Sequence, residues 1–232
     1  MGFSGVSTSC STSILDLVFV LDSSGSIRDA NRPGFKDNWE TVLDFCINLV
    51  DGLTIGMDLT RVGLVRFGNK ASSIFYLNTY QTKDQIKNAI SQVPYSGGNT
   101  NTSGGLREMM QNQFIEGRGD REEVINTAIV ITDGVSTYDS SRTIPDAMMA
   151  QNQGIRMFSI GVTASINIDE LRGLSSEPRQ ENKNYFTSAT FEALSEISQR
   201  ILTETCRVDG TGEIKEKIHT SHWIWDAHVK KI

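Results

Sequence analysis

Nearly continuous apolar runs punctuate the chain. Ile14 to Leu21, Val62 to Phe67 and Val124 to Ile131 are the clearest, and Ile155 to Ile160 is a weaker one. Runs that are continuous rather than alternating mark strands buried on both faces, as in parallel sheets. Ser72 to Leu77 follows the second run after a short Gly68-Asn69-Lys70 turn. That spacing predicts a hairpin and so one antiparallel edge strand. Between the runs, apolar residues recur at helical spacing over 37–51, 83–92, 103–114, 143–153 and 190–204, with a short turn near 168–174. In the first of these, Trp39, Val42, Leu43, Cys46, Leu49 and Val50 share one face; in the last, Phe191, Leu194, Ile197, Ser198, Ile201 and Leu202 do. Strands and helices in alternation predict an α/β fold: a doubly wound, mostly parallel central sheet with one antiparallel edge strand and helices on both faces.

The 232 residues fit one sizeable domain with short extensions. We expect a Ser/Thr-rich leader over 1–13, the domain over 14–206 and an extension over 207–232. The extension opens on a Val208 to Gly212 linker. Ile214, Ile218, Trp225, Val229 and Ile232 would then share a helical face, either as a docking segment or as a neighbouring piece without a role. The net charge of -6, from 22 basic and 28 acidic residues, comes with no basic cluster, which argues against nucleic acid. No apolar run approaches the roughly 20 residues of a membrane span. The start, Met1 to Ser4, lacks signal-peptide character, so a secreted parent would have lost its signal. Of the three cysteines, Cys46 lies on the apolar face of its helix and reads as a small buried hydrophobe. Cys10 and Cys206 bracket the domain. A bond between them would tie its ends together and suit an oxidising compartment; the alternative is two unpaired thiols.

Candidate chemistry concentrates after the first run. Asp22, Ser24 and Ser26 stand at i, i+2 and i+4, at the carboxyl end of a buried strand, where open α/β sheets bind ligands. One carboxylate plus hydroxyls suits a hard divalent cation such as Mg²⁺, with Mn²⁺ or Ca²⁺ as alternatives. Such a cation needs about six oxygens. Gly97 to Thr102 adds the Thr100 hydroxyl, and Asp133-Gly134 adds a second carboxylate. Singly, each could be a helix cap or an ordinary turn; together they point to a metal site. An EF-hand is excluded, because its sixth and twelfth positions would be Ile27 and Pro33 instead of Gly and Glu.

The three stretches together resemble the von Willebrand factor A domain. Asp22-Ser23-Ser24-Gly25-Ser26 matches its DxSxS signature, Gly98 to Thr102 its threonine loop, and Ile131-Thr132-Asp133-Gly134 its aspartate loop, across residues 14–204. The resemblance implies a metal-ion-dependent adhesion site at Asp22, Ser24, Ser26, Thr100 and Asp133. In that family the hydroxyls ligate directly or nearly so, the aspartates act largely through water, and a partner carboxylate completes the shell. With its flanking cysteines the chain looks most like the extracellular-matrix members of the matrilin and collagen type VI sort. That implies a secreted, non-catalytic adhesion or scaffold module with a matrix protein partner, collagen being one candidate. The alternative is a metal-independent matrix link through side surfaces, mineral or polysaccharide.

Rival readings are weaker. All three histidines (His219, His222 and His228) follow Cys206, so no Ser-His-Asp triad can form inside the domain. No phosphate-binding or nucleophile-elbow motif is present either. An intracellular A domain would carry the same metal loops; the cysteine bond is what would separate the two. Arg118-Gly119-Asp120 spells an integrin-recognition tripeptide between a helix and the third run. It is expected to be exposed, and such tripeptides are common in solvated turns. Asn101-Thr102-Ser103 is an N-glycosylation sequon beside Thr100, expected to be unoccupied because the following helix would order Asn101.

Overall fold

Strand β1, Leu15–Asp22, is buried along its whole length and forms the spine of the molecule. A computed structural model describes residues 14–29, 31 and 33–206. The other strands are β2 (Arg61–Phe67), β3 (Ala71–Phe75), β4 (Ile125–Thr132), β5 (Arg156–Val162) and β6 (Tyr185–Ser188). They form one six-stranded sheet in the order β3-β2-β1-β4-β5-β6. All pairings are parallel except β2 with β3, which is antiparallel. The expected doubly wound sheet with one antiparallel edge strand is therefore the observed architecture.

Alternation along β1 assigns its side chains to two cores. Leu17, Phe19 and Leu21 join one apolar cluster with the helices α2 (Asn38–Asp51), α3 (Lys83–Ser91) and α7 (Leu194–Thr205). Val18 and Val20 join the other, with α4 (Thr102–Asn112) and α5 (Ser140–Asn152). A strand covered on both sides has no polar face to show, hence the continuous run. Short helices α1 (Gly25–Asp29) and α6 (Ile168–Leu174) complete the set.

Helix α2 carries the predicted apolar face, with Trp39, Val42, Leu43, Cys46, Leu49 and Val50 all buried. Asp37 caps its N-terminus by accepting from the Trp39 amide. Cys46 is a free, buried thiol, and burial pushes its pKa above the ordinary range, so it is inert packing. Helix α4 needs a glycine to reach the sheet: a Cβ on Gly105 would lie 2.8 Å from the Phe67 ring. Arg156, at the start of β5, donates to the carbonyls of Glu204 (2.8 Å) and Thr205 (3.4 Å) and fixes the end of α7. Cys206 closes α7 and is not among the free thiols. Its expected partner Cys10, the leader and the 207–232 extension lie outside the described residues.

At the opposite pole from the β1 carboxyl end, Asp16 is fully buried. Arg121 meets it with Nε at 3.0 Å, Nη2 at 2.6 Å and its backbone N–H at 2.8 Å. This pair ties the segment before β4 to the start of β1.

Candidate metal centre

Sheet order reverses at β1, with β2 on one side and β4 on the other. Loops leaving β1 and β4 therefore diverge and open a crevice at their carboxyl ends. Asp22 ends β1 and Asp133 follows β4, so both carboxylates sit in that crevice. Ser26 Oγ donates to Asp133 Oδ1 at 2.7 Å, and Ser24 Oγ lies 3.1 Å from Ser26 Oγ. Both Asp22 oxygens already accept protein donors: Oδ1 from the Ser24 amide at 2.8 Å and Oδ2 from the Thr132 hydroxyl at 2.7 Å. Asp22 thus orients the loop, while Ser26 stays exposed at the surface.

The threonine loop is clipped to this cluster through the backbone. Gly25 N–H donates to the Gly98 carbonyl and Gly97 N–H to the Ser23 carbonyl, each at 2.8 Å. Gly97 and Gly98 adopt φ of 68° and 91°, a region where a side chain is strained. Thr100 is buried, its amide donating to Thr137 Oγ1 at 2.9 Å and its carbonyl accepting from Thr137 and Tyr138. Its hydroxyl makes no hydrogen bond among the described residues. Four of the five expected residues are thus joined by side-chain contacts, and the fifth is held beside them by its loop.

The electrostatics ask for a cation. Neither Asp22 nor Asp133 has a basic partner among the described residues, although both are buried. Burial pushes the Asp22 carboxyl up from its ordinary value, with Glu170 of α6 adding repulsion. Asp133 is pushed up to about 7, first by burial and then by the charge of Asp22. Two buried carboxylates with clustered hydroxyls are a hard-oxygen donor set, and bringing in positive charge relieves their repulsion. The residues present therefore fit a divalent cation.

Several residues around the centre had no signal in the sequence. Tyr95 donates its hydroxyl to the Ser24 carbonyl at 2.7 Å, and the Arg28 guanidinium lies 4.2 Å over its ring. Ser136 bridges Thr102 (2.7 Å) and Glu170 (2.5 Å), linking α4, the β4–α5 loop and α6. These are ordinary loop residues until the fold juxtaposes them.

The tripeptide Arg118-Gly119-Asp120 is not a protruding loop. Arg118 ends a 3₁₀ turn, Glu116–Arg118, and stacks 3.8 Å over the Tyr76 ring. Gly119 is buried at φ 98°, and a Cβ there would lie 2.8 Å from the Asn78 backbone. Its carbonyl accepts from Arg61 at 2.9 Å. The expected exposure therefore fails at the centre of the motif, because the turn packs onto the loop after β3. Gly119→Ala should lower stability by about 1–3 kcal/mol through strain alone, measured by urea denaturation. Asp120→Ala is the cleaner probe of recognition. At the sequon, Asn101 is 7% exposed; its side chain accepts from the Gly104 amide and donates to the Asn69 carbonyl at 3.2 Å. In the fold that amide is committed to backbone partners, as expected for a residue ordered by the following helix.

The fold and this crevice define an A domain: the von Willebrand factor type A domain family model matches residues 16–200, and the chain belongs to that family. Human matrilin-1 is 33% identical over 196 residues, covering 84% of this chain and 37% of the relative. Proximal thread matrix protein 1 from the mussel byssus, in a structure with a zinc occupied MIDAS motif, superposes with a TM-score of 0.75. It is 30% identical, over 85% of this chain and 46% of that one. The manganese-loaded TRAP protein of Plasmodium vivax superposes with a TM-score of 0.64 at 26% identity, over 81% of this chain and 73% of that one. The chain spans 37% of the matrilin and 46% of the mussel matrix protein, less than half of either. Among the described residues, no helix is long and apolar enough to cross a membrane.

Proposed function

We propose that this A domain is a non-catalytic adhesion module of an extracellular matrix, spanning 14–206 between the 1–13 leader and the 207–232 extension. It docks a carboxylate of a matrix protein partner, collagen being one candidate. A divalent cation, Mg²⁺ in the first instance, would be held by Asp22, Ser24, Ser26, Thr100 and Asp133. The observation that carries the reading is the convergence of Ser24, Ser26 and Asp133 within 2.7 and 3.1 Å hydrogen bonds, at the point where sheet order reverses.

When bound, the cation supplies a Lewis-acidic position for the partner's carboxylate, a strong charge-assisted contact. The chain's own residues prepare that position. Asp22 fixes the Ser24 amide and Thr132, Asp133 orients Ser26, and Tyr95 pins the Ser24 carbonyl. Metal-bound structures of the mussel and Plasmodium relatives support the reading. A Cys10–Cys206 bond belongs to the same proposal, closing the domain at its base in an oxidising compartment.

Calorimetric titration of Mg²⁺ and Mn²⁺ into EDTA-stripped protein tests the centre. Wild type should bind one ion. Asp22→Ala should bind about 10- to 100-fold more weakly, as outer residues of metal sites do on removal, with its circular dichroism unchanged. Wild-type-like binding by Asp22→Ala would place the ion elsewhere. No binding by wild type, even with excess acetate present, would leave a metal-independent matrix link.

A further inference from the structure

Beside the metal crevice, a solvent-open trough of about 650 Å³ runs between the β2–β3 turn, α4 and the β4–α5 loop. It begins at Asn99 and Asn101, on either side of Thr100, and is separate from the Ser24, Ser26 and Asp133 cluster.

The groups lining it divide into two sets. The first is already committed to protein partners. Arg107 pairs with the buried Asp146 at 2.9 Å and with Asp139 at 3.6 Å. Glu108 accepts from the Ser73 amide (3.0 Å), the Ser73 hydroxyl (2.8 Å) and Asn112 (3.0 Å). The second set is unspent: the Lys70 ammonium, the side-chain amides of Asn99 and Gln111 and the Tyr138 hydroxyl make no hydrogen bond or ion pair among the described residues. Tyr138 is 50% exposed and is one of the residues lining the trough.

We infer that this trough is a saccharide site for a sugar carrying one carboxylate, a uronic acid. An aromatic face offers a platform for the C–H face of a pyranose ring. Asn99 and Gln111 each offer a donor and an acceptor, which matches hydroxyl groups that are themselves both. Of the two cations lining the trough, Lys70 is the one without a partner among the described residues. Arg107 and Lys70 balance Glu108 and Asp139, so the trough as a whole is neutral, on a chain of net charge -6. A densely sulfated chain would meet no positive field here; a single carboxylate beside Lys70 needs none. An acidic peptide would satisfy Lys70 and meet the amides through its backbone, but it brings no pyranose face for Tyr138.

The site is independent of the metal reading, and the test keeps the two apart. A hyaluronan tetrasaccharide, unsulfated and uronate-bearing, is titrated into ¹⁵N-labelled protein in EDTA. A heparin tetrasaccharide and a glutamate-rich hexapeptide are titrated in parallel. We expect saturable shifts at Lys70, Asn99, Gln111 and Tyr138 with hyaluronan, and weaker ones with the other two. Tyr138→Ala and Lys70→Ser should each weaken hyaluronan about tenfold or more, the scale of one lost stacking or charged contact. Tyr138→Ala should leave Mn²⁺ affinity unchanged, which also reports that the mutant is folded. The inference is overturned by absence of saturation at about 10 mM, where even millimolar affinity would show. It is equally overturned by tighter binding of heparin or the peptide, or by hyaluronan binding that neither substitution alters.

Discussion

Arg121→Ala should cost about 3–5 kcal/mol of stability at pH 7.5, the usual penalty for leaving one partner of a buried ion pair uncompensated. The Arg121 guanidinium is largely covered and Asp16 wholly so, at 18% and 0% side-chain exposure. The arginine also donates to the Leu15 carbonyl at 3.1 Å, so the substitution strips hydrogen bonds from the strand's backbone as well. Even with the arginine present, burial outweighs its attraction and the Asp16 carboxyl is raised above its ordinary value. Without the arginine it rises further, and the folded protein can lower the penalty by binding a proton. A raised carboxyl favours the folded state at low pH and loses that advantage as pH rises. The cost of Arg121→Ala should therefore be larger at pH 7.5 than at pH 5. Urea denaturation at both values reads this directly. An equal or larger loss at pH 5 would mean that lost packing, not an orphaned charge, is the cause. Adding Asp16→Asn to the variant should recover part of the loss at pH 7.5 and little at pH 5.

Most of the sheet was legible because its strands are covered on both faces. The four apolar runs became β1, β2, β4 and β5, each shifted by no more than a residue or two at its ends. The edge strands were harder. β3 was found through its turn, but β6, Tyr185–Ser188, was missed: four residues ending in Thr and Ser make no apolar run. α1 was missed as well, since five residues show no helical period. α5 starts at Ser140, three residues before the predicted 143, and takes Pro145 within its second turn. α7 starts four residues late, at Leu194; Phe191 is buried as predicted, but from the turn ahead of the helix.

The candidate centre was legible for a different reason. Asp22, Ser24 and Ser26 are local in sequence, and Thr100 and Asp133 sit in loops whose glycines mark them. Tyr95 and Glu170 act on those residues from another loop and helix, and Ser136 anchors Glu170. Only the three-dimensional crossing of the chain brings them there, and no spacing announces it. The exposure expected of Arg118-Gly119-Asp120 fails at Gly119 on the same ground: a polar turn in sequence is packed by a neighbour, Asn78, that sequence does not place.

Stripped of metal, the domain should lose stability as pH rises from about 4.5 to 7.5. The Asp133 carboxyl titrates at about 7 in the fold against an ordinary value of 3.8. The folded state therefore binds this proton more tightly than the unfolded chain does. Stability contributed by protonated Asp133 is full below the unfolded value and is lost as pH climbs through the window to about 7. At 1.36 kcal/mol per unit the loss is at most about 4 kcal/mol, or some 2–4 °C of melting temperature per kcal/mol at this size. Asp22 is raised in the same direction by its burial. A bound cation removes the cause, because it neutralises the two carboxylates that repel each other. The stabilisation conferred by Mg²⁺ should thus be small near pH 5, where protons compete for the site, and grow toward pH 7.5. Thermal melts in EDTA and in Mg²⁺ across this range measure both curves. Asp133→Asn isolates the group: its EDTA profile should be flatter than wild type, and its Mg²⁺ increment should be much reduced at every pH. If the mutant and wild-type EDTA profiles run parallel, Asp133 does not titrate in the window. If Asp133→Asn keeps the full increment, the cation is not held by this carboxylate.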